Sequence, residues 1–405
     1  YMKNKNILKI LSILGPGWIV MMADIDAPSV FTALVTGSLF GLSLFWLIIG
    51  LIIPLYFVQE ASARLSLVTG KGFGKLIKEN YGKFSSFISI AVMVIINSIG
   101  FVGEFAGVAA GGLIFNVPIW FSVLLVLIFH TYIIFSGSYK KVENILIYIS
   151  SILLIFLIGA ILSRPSIETI KTIVSTPEFQ NITFLTIILG NIGAVIMPWM
   201  IFYQGNALVD SGRTIESLKI ERKETLIGSI FSEILVLAIM VISASFFYEK
   251  LNDNLNIMLL SSIFSPYLGT ISPYIFAIGI IGAGLLAGIV ISLSSAWSIG
   301  DYFNIPNSLN CNITKARTFY IFYIVEIVPA AFITLLFPDL INLMIEAMVL
   351  NTVLLPIILF FLIRLTSNER LMGKFKNEKY REFILWLTLI LIVFSILFTI
   401  YIYFI

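Results

Sequence analysis

Two aspartates, Asp24 and Asp26, stand beside Ala27, Pro28 and Ser29 in the otherwise apolar stretch GPGWIVMMADIDAPSV. A carboxylate at the centre of a bilayer costs on the order of 2.5 to 3.5 kcal/mol even on insertion scales. Pro28 has no amide hydrogen, so the carbonyl of Asp24, four residues back, loses its helical partner, and the residue before a proline is biased away from helix. The segment is expected to unwind. No lysine or arginine falls within any central apolar span, so a bound cation is the group that offsets both the charge and the free carbonyls. The bland alternative places these aspartates at a membrane edge or pairs them with a distant basic residue. A second stretch, GNIGAVIMPWMIFYQGN, repeats the device: Pro198 frees the carbonyl of Ala194, and before it stands Met197, whose thioether is a soft ligand. The Ala194 oxygen and the Met197 sulfur are then expected to face one point. A Met-Pro pair alone reads more readily as a kink filled by a flexible side chain; the matching break in the first stretch raises it above that.

The elements that must position these groups are membrane helices. The chain has 405 residues, 12% charged and 59% hydrophobic, with a mean hydropathy of +1.04; soluble domains carry about 25% charged residues. Windows of roughly 20 apolar residues occur near 13 to 34, 41 to 62, 86 to 113, 117 to 136, 144 to 163, 184 to 207, 225 to 248, 272 to 300, 316 to 337, 340 to 363 and 383 to 405. That predicts an all-α integral membrane protein of eleven spans. Only Arg164, Lys171 and Lys250, of 25 lysines and arginines, then fall on one side. The other side is expected to be cytoplasmic, with the N-terminus inside and the C-terminus outside. The first window, with two aspartates and a proline, does not read as a removable signal peptide.

Five spans (10–165) and five more (183–365) form two units, with an extra helix at 383–405, all in one membrane domain (1–405). An odd number of helices per unit makes the second insert upside down, and matching breaks in spans 1 and 6 point to a substrate site near the midplane. One cysteine, Cys311, excludes an intramolecular disulfide, and one histidine, His130, excludes every site needing two imidazoles. No run of like charge suggests nucleic acid. No nucleophile and base that would make an enzyme stand in the spans, and nothing calls for a cofactor.

The stretch GPGWIVMMADIDAPSVFTALVTGSLFG, with Glu104-Phe105-Ala106-Gly107 in span 3 and Gly193-Ala194-Val195-Ile196-Met197-Pro198 in span 6, resembles the natural resistance-associated macrophage protein (NRAMP) family of divalent-metal transporters. The resemblance covers essentially the whole chain and implies the 5+5 inverted-repeat fold of LeuT-type symporters. It implies Asp26, the Ala194 carbonyl and the Met197 sulfur as metal ligands, with Ser29 where the family has a ligating asparagine.

The departures point within the family. Trp199 replaces a histidine linked to proton movement, Phe101 a proton-accepting aspartate, and Met348 a glutamine that helps cover the ion, while Asp24 is an extra acid. These substitutions resemble the bacterial NRAMP-related magnesium transporters. Mg²⁺ sheds water reluctantly and is usually held by one or two carboxylates, which suits Ser29 and a second acid; Met197 suits a softer ion and keeps Mn²⁺ or Fe²⁺ open. The expected function is a secondary transporter in a bacterial inner membrane importing Mg²⁺ or Mn²⁺, partly hydrated and without proton coupling. The alternative is a proton-coupled Mn²⁺/Fe²⁺ symporter.

Smaller expectations concern the remaining polar residues. Glu104 lies in a stripe of Gly100, Gly103, Gly107 and Gly111 and either hydrogen-bonds across a tight interface or takes part in ion or proton passage. Glu233, Glu326 and Glu346 read as vestibule acids or as interfacial ones, His130 as an interfacial histidine, and Asn351 with Pro356 as an irregularity in span 10. The Gly279, Gly282, Gly284, Gly288 series reads as packing.

Overall fold

The computed structural model describes residues 15–135, 138–163, 167–248, 256–311, 313–337 and 339–405. The amino-terminal lysines, Arg164 and Lys250 lie outside the described residues. No strand occurs among those described.

The first span is two helices, α1 (Pro16–Ala23) and α2 (Ala27–Phe40), whose axes bend by 46° at the intervening break. Asp26 sits extended at the start of α2 (φ −80°, ψ 172°), with Ala27 and Pro28 opening the helix, where a missing amide hydrogen costs least. Then follow α3 (Phe45–Thr69), α4 (Phe73–Ile114), α5 (Ile119–Ile134), and α6 (Tyr139–Ser150) running through a single 3₁₀ turn into α7 (Leu154–Ser163). The second series opens with α8 (Ile182–Val195) and α9 (Pro198–Asp210), separated by Ile196 and Met197, and continues with α10 (Leu218–Phe247), α11 (Ser272–Phe303), α12 (Arg317–Leu336) and α13 (Leu340–Thr366). Helix α14 (Lys379–Tyr403) closes the chain.

Among the described residues nine helices are long and apolar enough to cross a membrane, and the bent α1–α2 pair makes a tenth. The expected count of eleven depended on the window near 117 to 136. There α5 has 16 residues, about 24 Å at the helical rise, short of the ~30 Å of hydrocarbon. Helix α4, at 42 residues, exceeds its window because it includes a lead-in segment. That segment is set off at Gly82, whose φ of 86° is a conformation open to glycine without strain.

The glycine stripe of α4 is where the broken first span docks. A Cβ on Gly103 would lie 2.6 Å from Pro28, and one on Gly107 would lie 2.1 Å from Ala27. Helix α11 packs along α4 by the same means: a Cβ on Gly284 would lie 2.8 Å from the Glu104 carbonyl, and one on Gly288 would press on the His130 ring at 2.5 Å. The glycine series in α11 is therefore packing, as expected. Outward faces are left apolar, with Leu387, Leu391, Phe394 and Leu397 of α14 exposed, which fits a lipid-facing surface.

At one end of the bundle a single buried carboxylate gathers three helices. Glu60 on α3 pairs with Arg64 at 3.1 Å, Arg222 of α10 at 2.8 Å and Arg381 of α14 at 2.9 Å. Arg64 also donates to Asn377 Oδ1 at 2.7 Å. Removing one member of a buried ion pair costs roughly 3–5 kcal/mol, because its partners are left uncompensated. Glu60→Gln is therefore expected to lower the thermal unfolding midpoint of the detergent-purified protein by several degrees. Glu60→Asp should recover part of the loss, and an unchanged midpoint in Glu60→Gln would show the cluster to be energetically idle.

Candidate metal-binding site

The two breaks meet. Asp26 caps α2, its Oδ1 accepting the Ser29 N–H at 2.7 Å, which satisfies one of the orphan amides of a helix start. Its Oδ2 has no partner, although the residue is 1% exposed. The Ser29 hydroxyl donates to the Ala194 carbonyl at 3.0 Å and lies 4.0 Å from the Met348 sulfur. One serine thus bridges the first break, the second break and α13. Ala194 lacks its helical donor because position 198 is proline, and Ser29 supplies the replacement.

Glu104 reaches the same place from α4, accepting the Ala27 N–H at 3.2 Å through Oε2, while Oε1 has no partner. The glycines that flank it on α4 are what allow this approach. Its observed contact is the interfacial hydrogen bond among the two expectations for it, made to the start of α2 and beside Asp26. On the other side, Asp24 adjoins Asp26 and faces Glu233 of α10 at hydrogen-bonding range, with Ser232 beside them. Neither carboxylate carries a donor when ionised, and all four of their oxygens are buried without one.

Four acids, Glu233, Asp24, Asp26 and Glu104, therefore run in a chain through the interior. No ion pair joins any of them to a lysine or arginine in the described residues. No three acidic, histidine or cysteine side chains among the described residues converge into a ready cage. A cation held here would draw on carbonyls and its own water as well as on carboxylates.

The second break departs from expectation at its sulfur. Met197 Sδ receives the indole N–H of Trp199 at 3.1 Å, and the Ala194 oxygen is taken up by Ser29, so each is engaged locally. Met348 is fully buried beside Ser29, as its place in span 10 suggested. Asn351, an irregularity without a use in the sequence, donates to the Gly193 carbonyl at 3.3 Å and approaches the Met348 sulfur at 3.7 Å. It anchors the end of α8 to α13. A prolyl break three to five residues away is the signal that could have found it, since freed carbonyls need donors.

Other acids and the histidine lie elsewhere. Glu326 accepts from Ser295 at 2.7 Å, and Ser295 in turn accepts from Asn97 at 2.6 Å, in a separate network between α4, α11 and α12. Glu346 is exposed on α13. His130 is 1% exposed, its ring 6.3 Å from that of Phe105, because the Gly288 gap admits it.

Residues 17–401 match the family described as natural resistance-associated macrophage protein-like. The chain belongs to the Nramp family. Among curated relatives, the divalent metal cation transporter MntH of Staphylococcus haemolyticus is 26% identical over 419 residues, covering 95% of this chain and 91% of its own. MntH of Bacillus subtilis is 25% identical over 410 residues, covering 95% and 90%. These relatives are named as transporters, not enzymes. Among solved structures, the Eremococcus coleocola manganese transporter is similar with a TM-score of 0.76 at 19% identity, over 95% of this chain and 85% of that one. Mhp1, a nucleobase-cation-symport-1 family transporter, is similar with a TM-score of 0.55 at 13% identity, over 96% and 92%. The fold is that of Nramp transporters and, more distantly, of the LeuT-type inverted repeat with broken spans 1 and 6.

The contact that holds the two breaks in register generates a prediction. A Cβ on Gly193 would lie 1.9 Å from the Met348 carbonyl, whereas one on Gly190 meets nothing nearer than Thr32 at 3.5 Å. Overpacking of this kind costs about 1–3 kcal/mol. Gly193→Val is expected to lower the thermal midpoint in detergent, and Gly190→Ala to leave it within about a degree; the reverse order would remove the close approach of α8 and α13 from the site's support.

Proposed function

We propose that this protein is a secondary transporter that carries divalent metal ions, Mg²⁺ and Mn²⁺ foremost, across a bacterial cytoplasmic membrane by alternating access. The observation that carries the reading is Asp26: a buried carboxylate with a free oxygen, at a break that Ser29 ties to the freed carbonyl of Ala194. The site residues are Asp26, Ser29, Ala194 and Met197, with Asp24 as a second acid. Residues 10–165 and 183–365 act as the two inverted units, and the basic loops set the N-terminus inside. The relatives' names support a divalent metal as cargo.

Two features favour a hard, partly hydrated ion. Carboxylates outnumber soft donors, and the one thioether of the second break is turned to the Trp199 indole. Mg²⁺ is typically held through one or two carboxylates with several waters retained. Uptake runs down the ion's electrochemical gradient without stoichiometric proton movement, since Trp199 and Phe101 cannot titrate and Glu104 is engaged at the start of α2. A second reading, a proton-coupled Mn²⁺ or Fe²⁺ symporter, rests on Met197, whose thioether suits a softer ion.

In proteoliposomes, Asp26→Ala is expected to reduce uptake of both Mg²⁺ and Mn²⁺ by more than ~100-fold, above the range typical of outer-shell changes; normal uptake would sink the assignment. Asp24→Ala should weaken Mg²⁺ uptake more than Mn²⁺ uptake, and equal losses would remove its selective role. Internal pH recorded during uptake should stay flat. Acidification that tracks metal entry and vanishes in Glu104→Gln would establish the proton-coupled reading instead.

A further inference from the structure

Asp24, inside the break between α1 and α2, and Glu233 of α10 face each other with no lysine or arginine paired to either among the described residues. They are 1% and 0% exposed, and no donor reaches any of their four carboxylate oxygens. The Asp24 main-chain carbonyl is equally orphaned, for no backbone amide donates to it among the described residues. Ser232 lies beside the pair, its hydroxyl donating to the Ser229 carbonyl at 3.3 Å. Two carboxylates facing each other in hydrocarbon surroundings do not both stay charged unless a cation or a shared proton offsets them; of the two, a cation fits the transport reading.

The pair continues into a line of polar residues on α10. Down α10 from Ser232 run Ser229, Gly228, Thr225, Glu224 and Glu221, all buried and spaced by three or four residues, so that they share one face. That face lies against α1: a Cβ on Gly17 would lie 3.1 Å from Glu221 and 3.2 Å from Thr225, and a Cβ on Gly228 would lie 2.6 Å from Met21. At the far end Gly15 N–H donates to Glu224 at 3.1 Å, and Arg213 pairs with both Glu221 and Glu224. The interface between α1 and α10 is thus a polar seam, stoppered by one arginine where it reaches the surface.

We propose that Asp24 and Glu233 form a second station for the transported divalent cation, one step beyond Asp26, and that the ion passes from it along the seam between α1 and α10. The inference rests on the transport reading and adds to it a place and a partner residue. Two carboxylates and a hydroxyl, with no third charged ligand, suit a cation that keeps part of its water. The seam is closed here, with α1 and α10 in contact at Gly17 and Gly228, so passage along its polar side requires the two helices to separate during the cycle.

Purified protein in proteoliposomes tests this with Mg²⁺ and Mn²⁺ as the probes, alongside Mn²⁺ binding by calorimetry in detergent. Glu233→Gln is expected to slow Mg²⁺ uptake by about 10- to 100-fold, the range seen when a supporting ligand is lost, while Mn²⁺ binding at Asp26 changes less than about twofold. Because both acids serve one station, Asp24→Asn combined with Glu233→Gln should be no slower than the slower single variant. Normal uptake in Glu233→Gln, or losses that multiply in the double variant, would overturn the proposal. The exchange Asp24→Glu with Glu233→Asp keeps both carboxylates and should retain uptake; failure of this well-folded exchange to transport, with Glu233→Gln intact, would also overturn it. If Asp26→Ala still transports, the transport site itself is wrong; if Asp26→Ala is inactive and Glu233→Gln is normal, only the second station falls.

Discussion

A helix interrupted inside a membrane leaves amides and carbonyls that hydrocarbon cannot satisfy, and this molecule is arranged around two such interruptions. At the first, Asp26 and Glu104 take the amides at the start of α2. At the second, Ser29 and Asn351 supply donors to the carbonyls of Ala194 and Gly193. Each interruption is repaired by a residue from another helix, so the repair is also the tertiary contact. The bundle cannot close without bringing the two breaks together.

Close approach is the condition for that repair. Side chains as short as those of serine and asparagine bridge helices only if the backbones nearly touch, and the glycines at 103, 107 and 193 permit it. Small residues here have the role that hydrophobic burial has in a soluble core, where lipid supplies no comparable driving force between helices. The acids are left over from this arrangement. Amides satisfy one oxygen each of Asp26 and Glu104, and nothing satisfies the rest.

The breaks themselves were legible in the sequence because proline acts locally: Pro28 and Pro198 each mark a missing amide hydrogen and name the carbonyl it frees. The membrane class and most spans were legible for the same reason, each being a property of about 20 neighbouring residues. What escaped depends on partners far away in the chain. Glu233 meets Asp24 from across the fold, and Asn351 reaches Gly193 over a separation of 158 residues. Hydropathy windows also said nothing of how long a helix is within them, so α5 came out shorter than its window. The local turn of Met197 toward Trp199 was missed although only two residues separate them, since an indole N–H seldom finds a thioether and the spacing alone does not suggest it. The packing niche of His130 is likewise not legible in the sequence, because a glycine on another helix makes it.

The Ser29 hydroxyl has a consequence for residence time. In the proposed transport cycle, a metal ion that takes the Ala194 carbonyl as a ligand competes with the Ser29 hydrogen bond already made there. A bond of this kind is worth about 0.5–1.5 kcal/mol net, which translates into roughly a two- to tenfold weaker grip on the cargo. On that proposal, the serine hydroxyl and the ion compete for one oxygen, and the interior holds its own polar groups satisfied when no ion is bound.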